Sequence, residues 1–270
     1  MSDVTLFIIP VSGFAGRNFG KRNMNRDTFL KTEKLYHYTS FESAIKILVS
    51  NKLLFGKLSN LNDINESFRP LFYSSNINHE NALKELSKYK QISLTRDGKL
   101  KGYAIPSMWG HYAEKGYGIC LVFDKKKLLE HLDKASKSKK VKYTDKYNGD
   151  ILVQNENIPL FFEKNRDKLF FKKKKDWDNE QEYRIISKTK DAIDFEDSLM
   201  AVIMCFAKDT QFGDTVFNSL NSKILGKILS DIPILELGYW NNNANLQDKD
   251  NNSWEEEEEI NNLQSILENY

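Results

Sequence analysis

One short segment late in the chain carries two carboxylates and a guanidinium at alternating positions. It reads Glu180-Gln181-Glu182-Tyr183-Arg184, so that on a β-strand Glu180, Glu182 and Arg184 share one face. A carboxylate two positions from an arginine on the same face can be held ionised in a fixed orientation. The pattern therefore predicts either a carboxylate that is ready for chemistry or a structural ladder of ion pairs between strands.

A histidine at the end of an early strand is the second candidate. His37 lies in the alternating segment 35–38, and Glu42 follows Thr39 by three positions, which is the capping-box signature of a helix start. A helix is therefore predicted to begin directly after His37. This position favours a side chain that faces a cleft, and the alternative is a structural histidine held by hydrogen bonds.

Two further segments complete the set of candidates. Ser107 is predicted to cap a short helix that carries Trp109 and Tyr112, whose rings either pack in the core or form a wall for a planar ligand. A turn-rich loop follows a strand predicted over 53–58, and three of its polar side chains either form turns and caps or shape a substrate loop. These side chains are Asn62, Asp63 and Glu66.

Together, the four segments resemble a widespread bacterial and phage family that is classified as a domain of unknown function. The family pattern runs (Y/F)HY(T/R)S, then NDPxE, then a serine followed by MWxxY and a glycine, and finally a WxxExEYR strand. The chain carries these motifs in the same order: YHYTS at 36–40, NDINE at 62–66, SMWGHY at 107–112 followed by Gly116, and WDNEQEYR at 177–184. Ile64 stands where the family has proline, and the resemblance spans 35–238.

The His-x-Thr at a strand end, the aromatic segment and the late Glu-x-Glu also resemble the catalytic triad of ADP-ribosyltransferases. Similar sequences occur among abortive-infection phage-defence proteins. The resemblance implies that NAD is the substrate, that Glu182 is the catalytic carboxylate, and that Glu180 orients or activates the acceptor. Breaking a glycosidic bond builds positive charge on the sugar, and a fixed carboxylate stabilises that charge.

The same resemblance implies a set of NAD contacts. His37 and Thr39 would form hydrogen bonds with a ribose hydroxyl, and His37 is also implied to be catalytic. Trp109 and Tyr112 would stack on nicotinamide. Arg184 would pin the catalytic carboxylate or meet the pyrophosphate. The remaining implied NAD contacts are Tyr38 and Ser107, and no metal is implied.

The rest of the pattern predicts an α+β fold, because strands and helices mix without strict alternation. Strands are expected at 4–9, 91–96, 119–123, 141–144, 182–187, 199–207 and 232–237. Helices are expected at 41–49, 80–89, 125–139, 158–171 and 210–220. The lysines at 172–175 are placed in a last helical turn, where the macrodipole favours them. The resemblance implies an ADP-ribosyltransferase-like mixed or antiparallel sheet with flanking helices.

The two ends of the chain differ from its body. Residues 1–34 are interpreted as an N-terminal extension, a strand followed by a basic linker, and residues 35–240 as the ADP-ribosyltransferase-like domain. Residues 241–270 form an acidic tail in which Ser253 and Glu256 predict a capped amphipathic helix. Such a helix packs on the body or docks on an antitoxin or defence partner.

Composition and motifs exclude several function classes. The 270 residues are 40% hydrophobic and 12% aromatic, which is enough for a core. The usual signatures of NTPases, Rossmann enzymes and zinc hydrolases are missing from the sequence. Cys120 and Cys205 lie in apolar runs, which predicts buried thiols in a reduced cytoplasmic setting. The apolar run at 4–11 is too short to span a bilayer, so no signal peptide or membrane span is expected.

The leading hypothesis is an NAD-dependent ADP-ribosyltransferase-like toxin or phage-defence effector that modifies RNA, DNA or protein. One alternative is a non-catalytic component of a defence or toxin–antitoxin system that binds a nucleotide or a protein. A further alternative is an NAD glycohydrolase, which releases nicotinamide without transfer to a macromolecule.

Overall fold

The computed structural model describes residues 24–60, 79–145, 157–195, 197–205, 218–220, 225–229, 231–240, 243–248 and 253–254. Its helices are α1 Arg26–Lys31, α2 Phe41–Ser50, α3 His79–Leu86, α4 Pro106–Tyr112, α5 Lys125–Glu130, α6 Ile158–Phe170 and α7 Leu225–Ile228. Its strands are β1 Lys34–Thr39, β2 Lys52–Leu54, β3 Gly56–Lys57, β4 Lys90–Arg96, β5 Ile119–Asp124, β6 Lys137–Lys140, β7 Lys142–Thr144, β8 Lys172–Lys174, β9 Glu182–Ser187, β10 Ala192–Asp194, β11 Leu199–Cys205, β12 Ile234–Trp240 and β13 Asn243–Gln247.

A nine-stranded mixed sheet forms the centre of the described structure. Its strand order is β13-β12-β11-β5-β1-β4-β9-β6, with β3 pairing on part of β4. The β11–β12 pair is parallel, and the other pairs in this sheet are antiparallel. Helices pack against this sheet in three apolar clusters. The predicted α+β class is therefore confirmed.

Both faces of the sheet are buried, and each has a different character. Residues opposite each other on neighbouring strands share a face. Leu35 and Phe123 therefore mark the first face, which packs against α2 in one apolar cluster. Tyr36 and Val122 lie on the second face in another cluster, and Ile186 belongs to a third cluster under α3 and α6. The second face thus has two apolar regions, and β4 and β9 place polar side chains between them.

The predicted capping residue of α2 is wrong by one position. Thr39 is still part of β1, where it pairs with Ile119. Ser40 is the N-cap instead, and its hydroxyl accepts a hydrogen bond from the Ser43 backbone N–H at 3.1 Å. Ladder pairing with β5 therefore decides which of two adjacent hydroxyl residues caps the helix.

The lysine-rich segments differ most from the sequence prediction. The helix expected at 125–139 ends at Glu130, and its last lysines form the edge strand β6. Of the lysines expected in a helical turn at 172–175, the first three form β8, which pairs in parallel with β7. Lysine on an edge strand hinders pairing with other chains, and this agrees with the position of β6 as the last strand of the nine-stranded sheet.

Both ends of the described chain join the same core. The ring of Phe29 on α1 meets Trp254 edge-on, with centroids 5.4 Å apart. Strand β13 pairs with β12 through Leu237 opposite Leu246. The segments assigned to an extension and a tail thus contribute to the core that also holds 35–240. Within the described ranges, the helices are too short or too polar to cross a membrane.

Several predictions lie outside the described residues. They are the strand at 4–9, most of the helix at 210–220, the tail helix after Trp254, and the substrate-loop residues Asn62, Asp63 and Glu66.

Candidate functional site

The sheet opens between β1 and β4. Their ladder ends at Tyr36 opposite Thr95, and β3 pairs with the other end of β4 at Gln91. Between these two short ladders, residues 92–94 pair only with β9 among the described strands. A cavity of about 350 Å³ occupies the opening, which is within the range of small-molecule sites.

The cavity has two kinds of lining. Its polar residues include Gln91, Ser93, Thr95 and a charged cluster that we define as Lys173, Glu180, Glu182 and Arg184. Its aromatic and apolar residues include Tyr36, Tyr38, Leu54, Met108 and Tyr112. A ligand with both a ring and hydrogen-bonding groups matches this combination.

Glu182 and Arg184 form a bidentate ion pair on β9. Arg184 Nε lies 2.6 Å from Glu182 Oε1, and Arg184 Nη2 lies 2.8 Å from Oε2. Both side chains are buried, with exposed fractions of 4% for Glu182 and 2% for Arg184. Burial raises the pKa of Glu182, but the charges and hydrogen bonds of Arg184, with help from Lys173, outweigh it and lower that pKa. Glu182 is therefore an ionised carboxylate in a fixed orientation.

Glu180 is held by two different donors. It ends a 3₁₀ helix instead of lying on the strand, because Gln181 adopts a left-handed conformation with φ of 48° and turns the chain into β9. The Tyr112 hydroxyl donates to Glu180 Oε1 at 2.6 Å, and Lys173 Nζ donates to Oε2 at 2.6 Å. Lys173 also lies 3.6 Å from Glu182. The two carboxylates thus share one buried lysine.

His37 borders the cavity from the first face of the sheet. It pairs with Leu121, and so it points away from the face that carries Tyr36. Because the cavity passes between β1 and β4, His37 and Glu182 line the same space. Burial lowers the pKa of His37 to about 4, against a hydrogen bond to the Ser93 backbone carbonyl that raises it. The imidazole is therefore neutral at pH 7.

Three of the predicted contact residues do not line the cavity. Trp109 belongs to the core, where its indole N–H donates to the Tyr103 carbonyl at 2.8 Å and its ring meets Tyr38 edge-on. This burial corrects the stacking role expected of Trp109. Ser107 lies in the first turn of α4 after the N-cap Ile105, and so it does not cap the helix. The third residue is Thr39, at the end of β1.

A loop at 97–102 supports the tyrosines of the cavity. Asp97 accepts hydrogen bonds from the Tyr36 hydroxyl at 2.9 Å and from the Gly102 backbone N–H at 2.8 Å. The Gly102 carbonyl accepts from the Tyr38 hydroxyl at 2.6 Å. A Cβ at Gly102 would lie 2.2 Å from the Tyr36 ring, so only glycine fits there. The Gln181 side chain holds the same loop through two hydrogen bonds to the Leu100 backbone, and it donates a third to the Arg96 carbonyl directly before the loop.

Sequence reasoning missed Lys173, Gln91 and Thr95. Lys173 lies inside a lysine run, and strand alternation turns it inward while its neighbours on β8 turn outward. Gln91 and Thr95 lie on β4 with the same parity as Ser93, which the alternation of the segment already marks as one face. This shared face of β4 was the signal available in the sequence. Only the register of β4 with β9 shows that the face lies beside Glu182.

Comparison with known proteins identifies one segment of the chain. Residues 108–185 match the family described as "Protein of unknown function (DUF2971)". The matched segment begins at Met108 inside α4 and contains the WDNEQEYR motif and Lys173, so it includes the whole charged cluster. The predicted resemblance to a domain of unknown function is confirmed for this segment. The correspondence of the individual motifs and the ADP-ribosyltransferase resemblance stay predictions.

Neither the curated proteins nor the solved structures contain a significant match to the chain. Within the described ranges, no three His, Cys, Asp or Glu side chains are grouped so that they could hold a metal ion.

Proposed function

We propose that the cavity binds NAD and that the protein is an ADP-ribosyltransferase-like enzyme that modifies nucleic acid or protein. One observation carries this proposal. His37, Tyr112, Glu180 and Glu182 come from three separate parts of the chain, and all four border one cavity. Chemistry on a glycosidic bond needs this convergence of a fixed carboxylate with hydrogen-bonding and aromatic groups.

Glu182 supplies the charge that such a reaction needs. Cleavage of the nicotinamide–ribose bond builds positive charge on the ribose, and a preorganised carboxylate stabilises it without reorganisation. Arg184 holds Glu182 in orientation through both carboxylate oxygens.

Glu180 and His37 have supporting roles in this proposal. Glu180, bonded to the Tyr112 hydroxyl, would orient the acceptor group beside the reacting sugar. His37 is neutral at pH 7 because its pKa is lowered to about 4, so it can bond a hydroxyl without adding positive charge near the developing cation.

The acceptor and the biological setting belong to the same proposal. Lys140 and Lys142 are exposed, and β8 turns Lys172 and Lys174 to the side opposite Lys173. A basic surface beside the cavity suits an RNA or DNA acceptor. We place the enzyme in the bacterial cytoplasm as a toxin or phage-defence effector, with the C-terminal tail as the segment that docks on a partner.

The decisive experiment follows labelled NAD in the presence of RNA, DNA and protein acceptors. Nicotinamide release and label transfer are measured for the wild type and for Glu182→Gln, which is expected to slow release by about 10²–10³-fold. The matched control is Glu80→Gln, which removes an exposed carboxylate paired with Lys84 on α3. Circular dichroism of each variant restricts the comparison to folded protein.

The outcomes separate the hypotheses. Transfer that depends on Glu182 supports the proposal, and release without transfer to any acceptor indicates a glycohydrolase. If the wild type neither binds NAD nor releases nicotinamide, both enzymatic hypotheses are refuted.

One observation favours a second candidate, a non-catalytic component that binds a nucleotide or a protein. Both oxygens of Glu182 accept from Arg184, and both oxygens of Glu180 already have donors. A carboxylate bound on both oxygens is also what a purely structural ion pair looks like. Toxicity on expression that persists in Glu182→Gln would support this candidate, and toxicity lost in that folded variant would refute it.

A further inference from the structure

We propose that Gln91 and Thr95 are ligand-binding residues that recognise the ribose hydroxyls of a nucleoside, and that the phosphates of the ligand lie outside the cavity. The inference deepens the proposed function, because it rests on a nucleotide ligand and states which part of it enters. It concerns recognition and requires no catalysis.

Two buried acceptors in the cavity are the first observation. Gln91 and Thr95 are 4% and 1% exposed, and both line the cavity. Within the described part of the chain, Gln91 Oε1 and Thr95 Oγ1 have no hydrogen-bond partner. Most buried polar side-chain atoms do have a partner. Two that lack one in the same cavity indicate a ligand that supplies hydrogen-bond donors.

The orientation of Gln91 is determined by its own contacts. Its amide nitrogen donates to the Ser93 hydroxyl at 2.7 Å and to Glu182 Oε1 at 3.4 Å. A carboxylate only accepts, so the amide nitrogen must face Glu182 and the amide oxygen must face elsewhere. Gln91 therefore offers a fixed acceptor to the ligand.

The charge balance of the cavity is the second observation. Among its described lining residues, Lys173 and Arg184 are the lysine and arginine cations, and each is bonded to a carboxylate. Two cations and two carboxylates make the charged cluster neutral as a whole. Phosphate is normally held by cations that are available to it. A diphosphate here would meet Glu180 and Glu182, so the charge balance favours a group without phosphates.

The strand register places the sugar. Thr95 lies directly opposite Tyr36 on β1 and directly opposite Glu182 on β9. A hydroxyl bonded to Thr95 therefore lies in the row that joins an aromatic ring to the carboxylate. Ring, ribose and carboxylate follow one another across three strands, which is the order that a nucleoside requires.

Thr95→Val separates a ligand-binding role from a structural one. The hydroxyl has no partner in the described structure, so its replacement by a methyl removes an unsatisfied buried group and is expected to keep or raise the melting temperature of the free protein. The same change is expected to weaken nucleoside binding by about three- to tenfold, the loss of one hydrogen bond. The control Thr189→Val removes an exposed hydroxyl that donates to Asp133 at 2.7 Å, and it should leave binding unchanged.

The binding experiment uses calorimetric titration of adenosine, nicotinamide riboside, NAD and inorganic pyrophosphate. At least one nucleoside is expected to bind within about tenfold of NAD, and pyrophosphate is expected not to displace it. The nucleoside that binds identifies which half of the dinucleotide enters. Its 2′-deoxy and 3′-deoxy forms should bind more weakly to the wild type, and Thr95→Val and Gln91→Leu should reduce this discrimination.

The inference is overturned if pyrophosphate displaces the nucleoside, if neither nucleoside binds, or if both variants discriminate against the deoxy forms as the wild type does. Its failure can be told apart from failure of the proposed function. Nucleoside binding that requires the ribose hydroxyls, without nicotinamide release from NAD, supports the inference and refutes the enzyme. Release with unchanged discrimination in both variants refutes the inference alone.

Discussion

Glu182→Gln should destabilise the protein far more than the loss of one surface charge would. The substitution leaves Lys173 and Arg184 beside a single carboxylate, Glu180, in a site where Glu182 and Arg184 are 4% and 2% exposed. Breaking a buried pair by removal of one partner costs about 3–5 kcal/mol, because the other charge is left uncompensated. For a chain of this size that corresponds to a fall of about 6–20 °C in melting temperature.

A double-mutant cycle tests whether the cause is the unpaired charge. Arg184→Met alone should cost a similar amount, because it leaves two carboxylates with one lysine. The double variant Glu182→Gln/Arg184→Met restores neutrality with the Glu180–Lys173 pair, so it should cost no more than either single variant. The coupling between the two sites is therefore expected to equal at least the cost of one single variant, about 3–5 kcal/mol. Urea unfolding measures all four corners of the cycle.

The pH dependence gives an independent check. Glu182 has a lowered pKa in the folded protein, so it binds fewer protons there than in the unfolded chain. Its contribution to stability is fully present above its ordinary pKa of 4.5 and is lost as the pH falls through the lower folded value. Glu182→Gln should lack this acid loss. The exposed control Glu80→Gln should keep the wild-type profile. Two results would refute the conclusion that Glu182 is a buried carboxylate held ionised by Arg184. One is additivity of the two single-variant unfolding free energies, and the other is the same loss of stability at low pH in the wild type and in Glu182→Gln.

Three further predictions concern the supports of the cavity. Gly102→Ala should destabilise the protein by about 1–3 kcal/mol in urea unfolding, because the new Cβ would lie 2.2 Å from the Tyr36 ring. The control is Gly110→Ala, at an exposed helix position where no atom lies within 4 Å of the new Cβ. This control should stabilise the protein by about 0.5–1 kcal/mol. His37 has a pKa lowered to about 4 from 6.5, so stability should fall as the pH drops from 6.5 to 4, and His37→Gln should remove that loss in a melting-temperature profile. Gln181→Ala should cost about 1–3 kcal/mol and increase amide exchange in the 97–102 loop, since its side chain makes two hydrogen bonds to Leu100 and one to the Arg96 carbonyl before the loop. Unchanged exchange would contradict this role.

Strong local signals made part of the fold predictable. The strands at 91–96, 119–123 and 182–187 and the helix at 158–171 agree with the structure to within one residue at each end. In each of these segments the apolar residues form a continuous run or recur at a regular spacing, and the sequence there carries no pattern that favours a different element. The lysine-rich segments failed because lysine is compatible with an exposed helix and with an edge strand, and pairing with β9 decides between them.

The candidate site was predictable to the extent that its motifs are local. The Glu-x-Glu and Arg184 were found because they lie within five positions, and their parity already places Glu182 and Arg184 on one face. The position of Trp109 was not predictable in this way. An aromatic residue on a short helix faces either the core or the cavity, and the choice depends on contacts such as the edge-on contact of Trp109 with Tyr38, which is distant in sequence.

Gln91 and Thr95 lie outside the four sequence motifs, and they are the residues that distinguish this cavity from a ladder of ion pairs. β4 pairs with β1 at one end and with β3 at the other, and the opening exists because these two ladders do not meet. That gap depends on register, which alternation alone does not determine. Once the gap is present, the inward parity of Gln91 and Thr95 places unpartnered acceptors beside Glu182. The charged motif therefore accounts for a stable buried cluster, while the separation of two strands makes that cluster accessible to a ligand.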